Sequence, residues 1–565
     1  MTYYWRISEK SNDDSVLKLA KSLDVPKRLA SILVARGIED NQIAKKFLNP
    51  SLEDLYDPFL FEEMEKAVDR ILKARDNKEV IWIHGDYDAD GTSSVAMLTD
   101  FLRSIGCSAY YYIPDRFSEG FGLSNHSINK AKEAGASVLI SVDVGITAFN
   151  QAILCKSAGI DLIICDHHEI NERIPEAYAI LDPCLPGCQY PFKNLSASGV
   201  VFKLVQGIAK KLQLDDRYFS YLELVAIASI SDMVPLIDEN RILVHYGVKQ
   251  LNENPRPGIR GLLYCTGLER GEIFSTNIVY AMAPLINAAG RLGDANRSVE
   301  MLIQKDVNLA FRIAQELEEE NRKRRLLDQQ VFDEALPLAE EYLRYNKHRS
   351  LVIHNSSWHE GVIGIVASRL VDKFKVPTIL LTNYGDISKG SARSVDNFDI
   401  YAALKECNDL LLEYGGHRHA AGLTLKAENI PEFRERIDSL AREKITDDML
   451  HHEILVDTEI SFNELSPMLI NSLNRLAPFG YGNDKPTFLT RNVSSINGLK
   501  YIGNNSYKFR AIQNNFVIDA ILPIVANKTS LISKYKHFSI VYTIESIGQG
   551  NIKFPQLIIK DISAD

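Results

Sequence analysis

Between residues 79 and 182 the chain repeats one pattern. Short apolar runs rich in β-branched residues, EVIWIHG, SAYYYIP, ASVLISVD, IDLIICD and AYAILD, are mostly separated by helix-period stretches such as TSSVAMLTDFLRSI and TAFNQAILCKSAG. Strands alternating with helices predict a parallel α/β sheet. Ligands of such sheets bind at the carboxyl ends of the strands. The residues that follow each run therefore carry the most information about function.

Those residues are acidic. The first run leads into His84-Gly85-Asp86-Tyr87-Asp88-Ala89-Asp90-Gly91-Thr92, a later one ends at Asp143, and another ends at Asp166-His167-His168. Asp232 follows the helical run LELVAIASIS. Taken singly, Asp90 or Thr92 could cap a helix and Asp143 could anchor a turn. Together they form a rim of acids that repel one another unless a cation holds them. Oxygen donors with some imidazole suit Mn²⁺ or Mg²⁺ rather than a thiolate-bound zinc. The set is large enough for two ions, which can activate water and stabilise the entering and leaving oxygens of a phosphoester displacement. A carboxylate bridging two ions must sit centrally, and Asp143 is the candidate.

The remaining chain divides by texture. Residues 1–75 read as an N-terminal helical region, 76–235 as the parallel-sheet domain and 236–346 as a helical connector ending in a long charged helix. That helix contains NRKRR, read as a solvated face. A second α/β domain is predicted over 347–446, with SLVIHN and PTILLTN as strands around the helix GVIGIVASRLVDKF. Short strands over 455–565 predict a small β-barrel, OB-fold-like. In it Tyr501, Tyr507, Phe509 and Phe516 alternate with Lys500, Lys508 and Arg510, either as a surface for single strands or with half the rings filling the barrel.

Net charge is −10, which excludes a simple electrostatic coat for DNA. Any nucleic-acid contact must use a local groove or metal ions. The seven cysteines are odd in number and scattered, and Cys184 and Cys188 have no second pair to complete a zinc site. MTYYWRISEK lacks an apolar signal core, and no apolar stretch reaches the about 18 residues of a membrane span. These features predict a reduced, cytoplasmic enzyme with free thiols.

At the acidic residues the sequence resembles the DHH phosphoesterase family. HGDYDADG, SVDVGIT, DHH and SDMVPL match its four metal motifs in order. The resemblance implies His84, Asp88 and Asp143 on one metal, and Asp90, Asp143, His167 and Asp232 on the other. Asp86 matches an extra acidic position of the nuclease branch, and His168 would face the scissile phosphate as a polarising or proton-donating group. VARGIED, DPFLFEEMEKAVDRI, IPDRFSEGFGL, NAAGRLGDA, WHEGVIGIVASRL, SARS, GGHRHAAG and LAPFGYGNDKP resemble the branch that degrades single-stranded DNA from its 5′ end. That likeness spans nearly the whole chain.

It implies a DHHA1-like second domain and a metal-dependent 5′→3′ exonuclease of recombination and repair that releases 5′-mononucleotides. It also implies a monomer working with a single-strand-binding protein and a RecQ-type helicase. Arg116, Arg291, Ser391, Arg393 and His417 would bind DNA or its 5′-terminal phosphate, for which planar multi-donor guanidinium groups are suited. Phe121 would stack on a base, or else pack in the core. The Gly361 helix start, after Trp358-His359, could receive an anion. Two other readings stay open. One is a small-substrate phosphoesterase of the same family, acting on an oligonucleotide or cyclic dinucleotide, which would not need the extra domains. The other is a non-catalytic replication scaffold, against which every expected ligand is present.

Overall fold

The computed structural model describes residues 3–8, 13–170, 173–346, 348–450, 452–503, 505–523, 528–547 and 554–564. The chain forms two units, Ile7–Glu320 with Val456–Asp565, and Met1–Arg6 with Asn321–Leu455. In the first, five parallel strands lie in the order Ser108–Tyr112, Val80–Gly85, Ala136–Val142, Asp161–Cys165, Ala179–Leu181. Ile81, Ile83, Ile140 and Ile163 face a core shared with the helices Ala89–Ser104, Ala197–Lys211 and Leu222–Ser231. Leu139, Leu162 and Ile164 face the helices Asn125–Glu133 and Phe149–Ser157 on the other side. Successive strand side chains point to opposite faces. Burial on both faces explains why these strands read as continuous apolar runs.

Two stretches set apart in sequence merge into larger cores. The helices after residue 236 contribute Leu243, Leu262, Ile286, Val299 and Leu317 to the core beneath the parallel sheet. The first 75 residues are divided. The strand Tyr3–Ile7 pairs with His452–Val456, and the helix Met64–Asp76 joins the sheet's core. The helices Asp13–Leu23, Lys27–Ala35 and Asn41–Leu48 pack Val16, Leu19, Leu29 and Leu33 into one core with Phe488, Phe538 and Leu557 of the barrel. Each helix has a single apolar stripe and must bury it against another element.

The barrel runs Thr487–Gly503, Ser506–Gln513, Phe516–Pro523, Phe554–Ala564, Phe538–Ile547, and the last strand pairs back onto the first. Closure removes free sheet edges. Phe509 is inside at 2% exposure, whereas Phe516 (49%) and Tyr501 (55%) stand outside. Arg241, buried in the helix Asp238–Glu253, donates to the carbonyls of Phe47, Arg475, Leu476 and Ala477 at 2.8–3.0 Å. It ties the sheet domain to both contributors of the barrel core.

In the second unit the strand order is Leu411–His417, Ala420–Lys426, Ile387–Arg393, Thr378–Tyr384, Leu351–His354, and only the last pairing is parallel. Val352, Ile379 and Leu381 pack with the helix Ile430–Lys444, while Leu351, Ile353 and Leu380 pack with Glu360–Phe374. The long helix Val307–Asn346 passes from one unit into the other. It is less exposed than its charge suggests. Ala310, Ala314 and Leu317 are buried in the first unit, and Val331, Ala335 and Ala339 in the second. Among the described residues no helix is long and apolar enough to cross a membrane.

Candidate active site

The register of the parallel sheet sets one rim. Gly85 lies beside Val142, Val142 beside Cys165, and Cys165 beside Leu181. Asp86, Asp143, Asp166 and Asp182 therefore leave neighbouring strands together. Asp182 was not singled out in the sequence, although AYAILD repeats the strand-then-acid pattern of SVLISVD. It is fully buried, one oxygen accepts from Cys184 N at 2.7 Å, and Oδ2 has no hydrogen-bond partner. Burial pushes its carboxyl up to about 7.

Three groups of donor atoms converge, each within 4.8 Å: Asp86, Asp88 and Asp143; Asp90, His167 and Asp232; and Asp143, His167 and His168. Asp143 and His167 each belong to two of them. Backbone structure positions these side chains. Asp88 caps the helix Ala89–Ser104, its Oδ1 accepting from Asp90 N and Gly91 N. Asp90 in turn takes the amides of Ala197 and Ser198 at 2.9 and 2.8 Å, so it is held at the start of a second helix. Asp143 has a φ of 64°, uncommon for a residue with a Cβ, and its amide donates to Cys165 O. Asp232 ends the helix Leu222–Ser231, and its Oδ2 lies 3.7 Å from His167 Nε2.

The electrostatics are those of carboxylates crowded out of water. Burial first, then the neighbouring carboxylates, hold Asp86 and Asp143 well above the ordinary range, and Asp232 at about 7. Burial opposes charge on His168, but the Asp166 hydrogen bond at 2.7 Å and its negative charge outweigh that and raise the imidazole to about 9. Asp166 also accepts the amides of Ile146, His167 and His168 and is lowered to about 2. Two buried atoms of the cluster, Asp86 Oδ1 and His167 Nε2, lack a hydrogen-bond partner. Unpartnered buried polar atoms are costly, and oxygen-rich donors with imidazole fit hard divalent cations.

His84, expected as a ligand, stands outside all three groups. Its ring is fully buried and contacts Ser127 Oγ at 2.8 Å and the Gly122 carbonyl at 3.2 Å. Phe121 is 61% exposed and meets His168 edge-on at 6.2 Å, which removes the core-packing alternative. Arg116 lies over the Tyr87 ring at 5.0 Å, and Arg291 is in the last turn of the helix Ala283–Leu292. Gly290 lets that helix approach. A Cβ there would sit 2.5 Å from Tyr87 O. Both arginines are close enough to act electrostatically on Tyr87.

The second unit collects Ser391, Arg393 and His417. Ser391 pairs with Gly422, while Ala420 lies between Arg393 and His417. Arg393 Nη1 donates to Ser391 Oγ at 3.2 Å. Gly364 makes room, since a Cβ there would lie 2.8 Å from Ser391 Oγ and 3.0 Å from Arg393 Nη2. The Gly361 amide, considered for an anion, donates to the His359 ring that caps its helix. All seven cysteines are free thiols.

Three domain families match the chain: the DHH family, N-terminal domain, over residues 80–229; the DHHA1 domain over 348–443; and the RecJ OB domain over 456–561. The single-stranded-DNA-specific exonuclease RecJ of Bacillus subtilis is 36% identical over 563 residues, covering 99% of this chain and 70% of that one. The Escherichia coli protein of that name is 32% identical over 484 residues, covering 82% and 83%. In structure, RecJ of Thermus thermophilus in complex with Mn²⁺ aligns with a TM-score of 0.86 at 24% identity, covering 100% of this chain and 80% of that one. This is a likeness of fold. An exonuclease RecJ bound to manganese aligns with a TM-score of 0.60 at 29% identity, covering 68% and 96%.

Proposed function

The chain belongs to the RecJ family of single-stranded-DNA-specific exonucleases, and from that premise we propose that it hydrolyses single-stranded DNA from the 5′ end, releasing 5′-mononucleotides. The observation that carries this reading is the pair of donor groups on one sheet rim, Asp86/Asp88/Asp143 and Asp90/His167/Asp232, with Asp143 reaching towards His167 at 3.2 Å. We read these as the residues that would hold two divalent cations, Mn²⁺ or Mg²⁺, with Asp143 the carboxylate that could serve both. Asp86 then takes the place that the family resemblance gives to His84.

When bound, such ions activate water and offset charge on the phosphoryl oxygens. The chain's own groups do the rest. Asp90, fixed by two amides, and Asp88, fixed as a helix cap, keep their geometry without reorganisation. His168, oriented by its hydrogen bond to Asp166, would place a donor at the scissile phosphate or its leaving oxygen. Arg116 and Arg291 bind the DNA backbone beside the rim, and Phe121 offers a stacking face. Ser391, Arg393 and His417 form a cradle for the 5′-terminal phosphate, which sets polarity. The exposed Tyr501 and Phe516 give the barrel a surface on which single strands can stack. We place the enzyme in the cytoplasm, as a monomer acting in recombination and repair with a single-strand-binding protein and a RecQ-type helicase.

The decisive experiment offers 5′-phosphorylated single strands of graded length, and matching duplexes, with Mn²⁺ or Mg²⁺. Mononucleotides should appear from long single strands and not from blunt duplex. Activity confined to dinucleotides would replace this reading with that of a small-substrate phosphoesterase. DNA binding without hydrolysis in a metal-replete preparation would replace it with a scaffold.

A further inference from the structure

The loop between the strand Ser108–Tyr112 and the helix Asn125–Glu133 is built, not loose. Asp115 Oδ1 accepts from Phe117 N, Ser118 N and Ser118 Oγ at 2.8–3.0 Å. Glu119 accepts from Tyr112 Oη, Asp115 N and Ser124 Oγ. Its last tie is to His84, through the Gly122 carbonyl. Both ring nitrogens are already engaged. A carbonyl only accepts, so in this contact Nε2 is the donor. Nδ1 is engaged with Ser127 Oγ, which also accepts the Trp82 indole N–H at 3.4 Å. A metal-ligating nitrogen must present a lone pair. Here both nitrogens are engaged elsewhere, with Ser127 and Gly122, and His84 shares no donor group with the carboxylates.

We propose that His84 is a positioning residue and not a metal ligand: by holding the Gly122 carbonyl it sets Phe121 against His168, where the base adjoining the scissile phosphate stacks. Trp82, Ser127 and His84 form a hydrogen-bonded strut from the parallel sheet to the loop. Phe121 sits at its tip, more exposed than a core ring and beside the His168 imidazole. The strut couples substrate placement to the rim without a ligand role. This inference rests on the exonuclease reading for its stacking partner, but its metal half stands alone.

The test therefore has two readouts on the full chain. Mn²⁺ binding by calorimetry should give two ions per chain in both wild type and His84→Ala, with affinities within about threefold, whereas Asp86→Ala should lose one. On single strands, His84→Ala and Phe121→Ala should each raise KM by about tenfold with kcat nearly unchanged, and the double variant should be no worse than either. His84→Gln, whose amide can still donate to the carbonyl, should recover most of the KM. Loss of an ion in His84→Ala, or a fall in kcat at constant KM, would overturn the proposal. Should His84→Ala fail to fold, Ser127→Ala decides: a KM raised several-fold supports the strut, and an unchanged KM refutes it. A wild type that binds two ions but cleaves no single strands would refute the exonuclease reading and leave the ligand question answered.

Discussion

The parallel sheet of the first unit and the mixed sheet of the second carry functional side chains of opposite sign, by different routes. In the first, acids leave the ends of adjacent strands, and helix starts hold them: Asp88 as a cap, Asp90 on the amides of Ala197 and Ser198. In the second, Ser391 and Arg393 lie along one strand and His417 at the end of another, among small residues. Each arrangement also has a glycine on an adjoining helix, and the two differ in what they admit. Gly290 admits backbone, the Tyr87 carbonyl, whereas Gly364 admits the ends of side chains. The first geometry places charge with little freedom. The second sets a guanidinium among small residues, held at its tip by side-chain and backbone oxygens of its own strand.

The largest effect is expected from Asp143→Ala. It should lower kcat on the order of a thousandfold, about 4 kcal/mol of transition-state stabilisation, with the thermal midpoint nearly kept. Activity within tenfold of wild type would remove Asp143 from the centre of the site. Next come the glycines. Gly290→Ala should cost about 1–3 kcal/mol in stability because a backbone carbonyl must move. Gly364→Ala should unfold near the wild-type midpoint but bind 5′-phosphorylated ends more weakly. Equal effects on stability would erase the distinction.

Arg393→Lys should reduce discrimination between 5′-phosphate and 5′-hydroxyl ends by about tenfold, because an ammonium cannot form a bidentate pair. End-labelled substrates would show it, and unchanged discrimination would move phosphate recognition elsewhere. The smallest effect concerns pH. The protonated form of His168 persists below its raised value of about 9 and is lost as pH rises through it. Bound cations move that value down. The rate should thus fall on the alkaline side with an apparent pKa at or below about 9, and His168→Gln should lower the rate and flatten that limb. A limb that survives in the variant belongs to another group.

Local pattern made the rim legible. Apolar runs buried on both faces announce their own ends, and Asp143, Asp166 and the Asp86–Asp90 turn follow directly. Asp182 also follows such a run, AYAILD, but pattern alone does not separate an acid at the rim of a short strand, Ala179–Leu181, from an ordinary turn residue. The place of His84 was hidden for another reason. Its spacing to Asp88 suits a ligand, but whether the ring meets carboxylates or Gly122 depends on a loop nearly forty residues on. Barrel strands were visible as strands, yet alternation alone did not say that Phe509 points in and Phe516 out. The N-terminal helices were legible as helices. Their partner was not, since burial against the barrel is a contact across most of the chain.

That shared core has a consequence for biosynthesis. The three helices that end at Leu48 leave the ribosome well before the barrel strands that cover them. At about 5–20 residues per second, the roughly 400 residues in between delay their partner by about 20–80 seconds. During that interval Leu29, Leu33 and their neighbours lack the barrel surface that buries them in the native state. Until the barrel forms, the apolar stripe of these helices is open to non-native contacts, and the two segments should gain protection from proteolysis together.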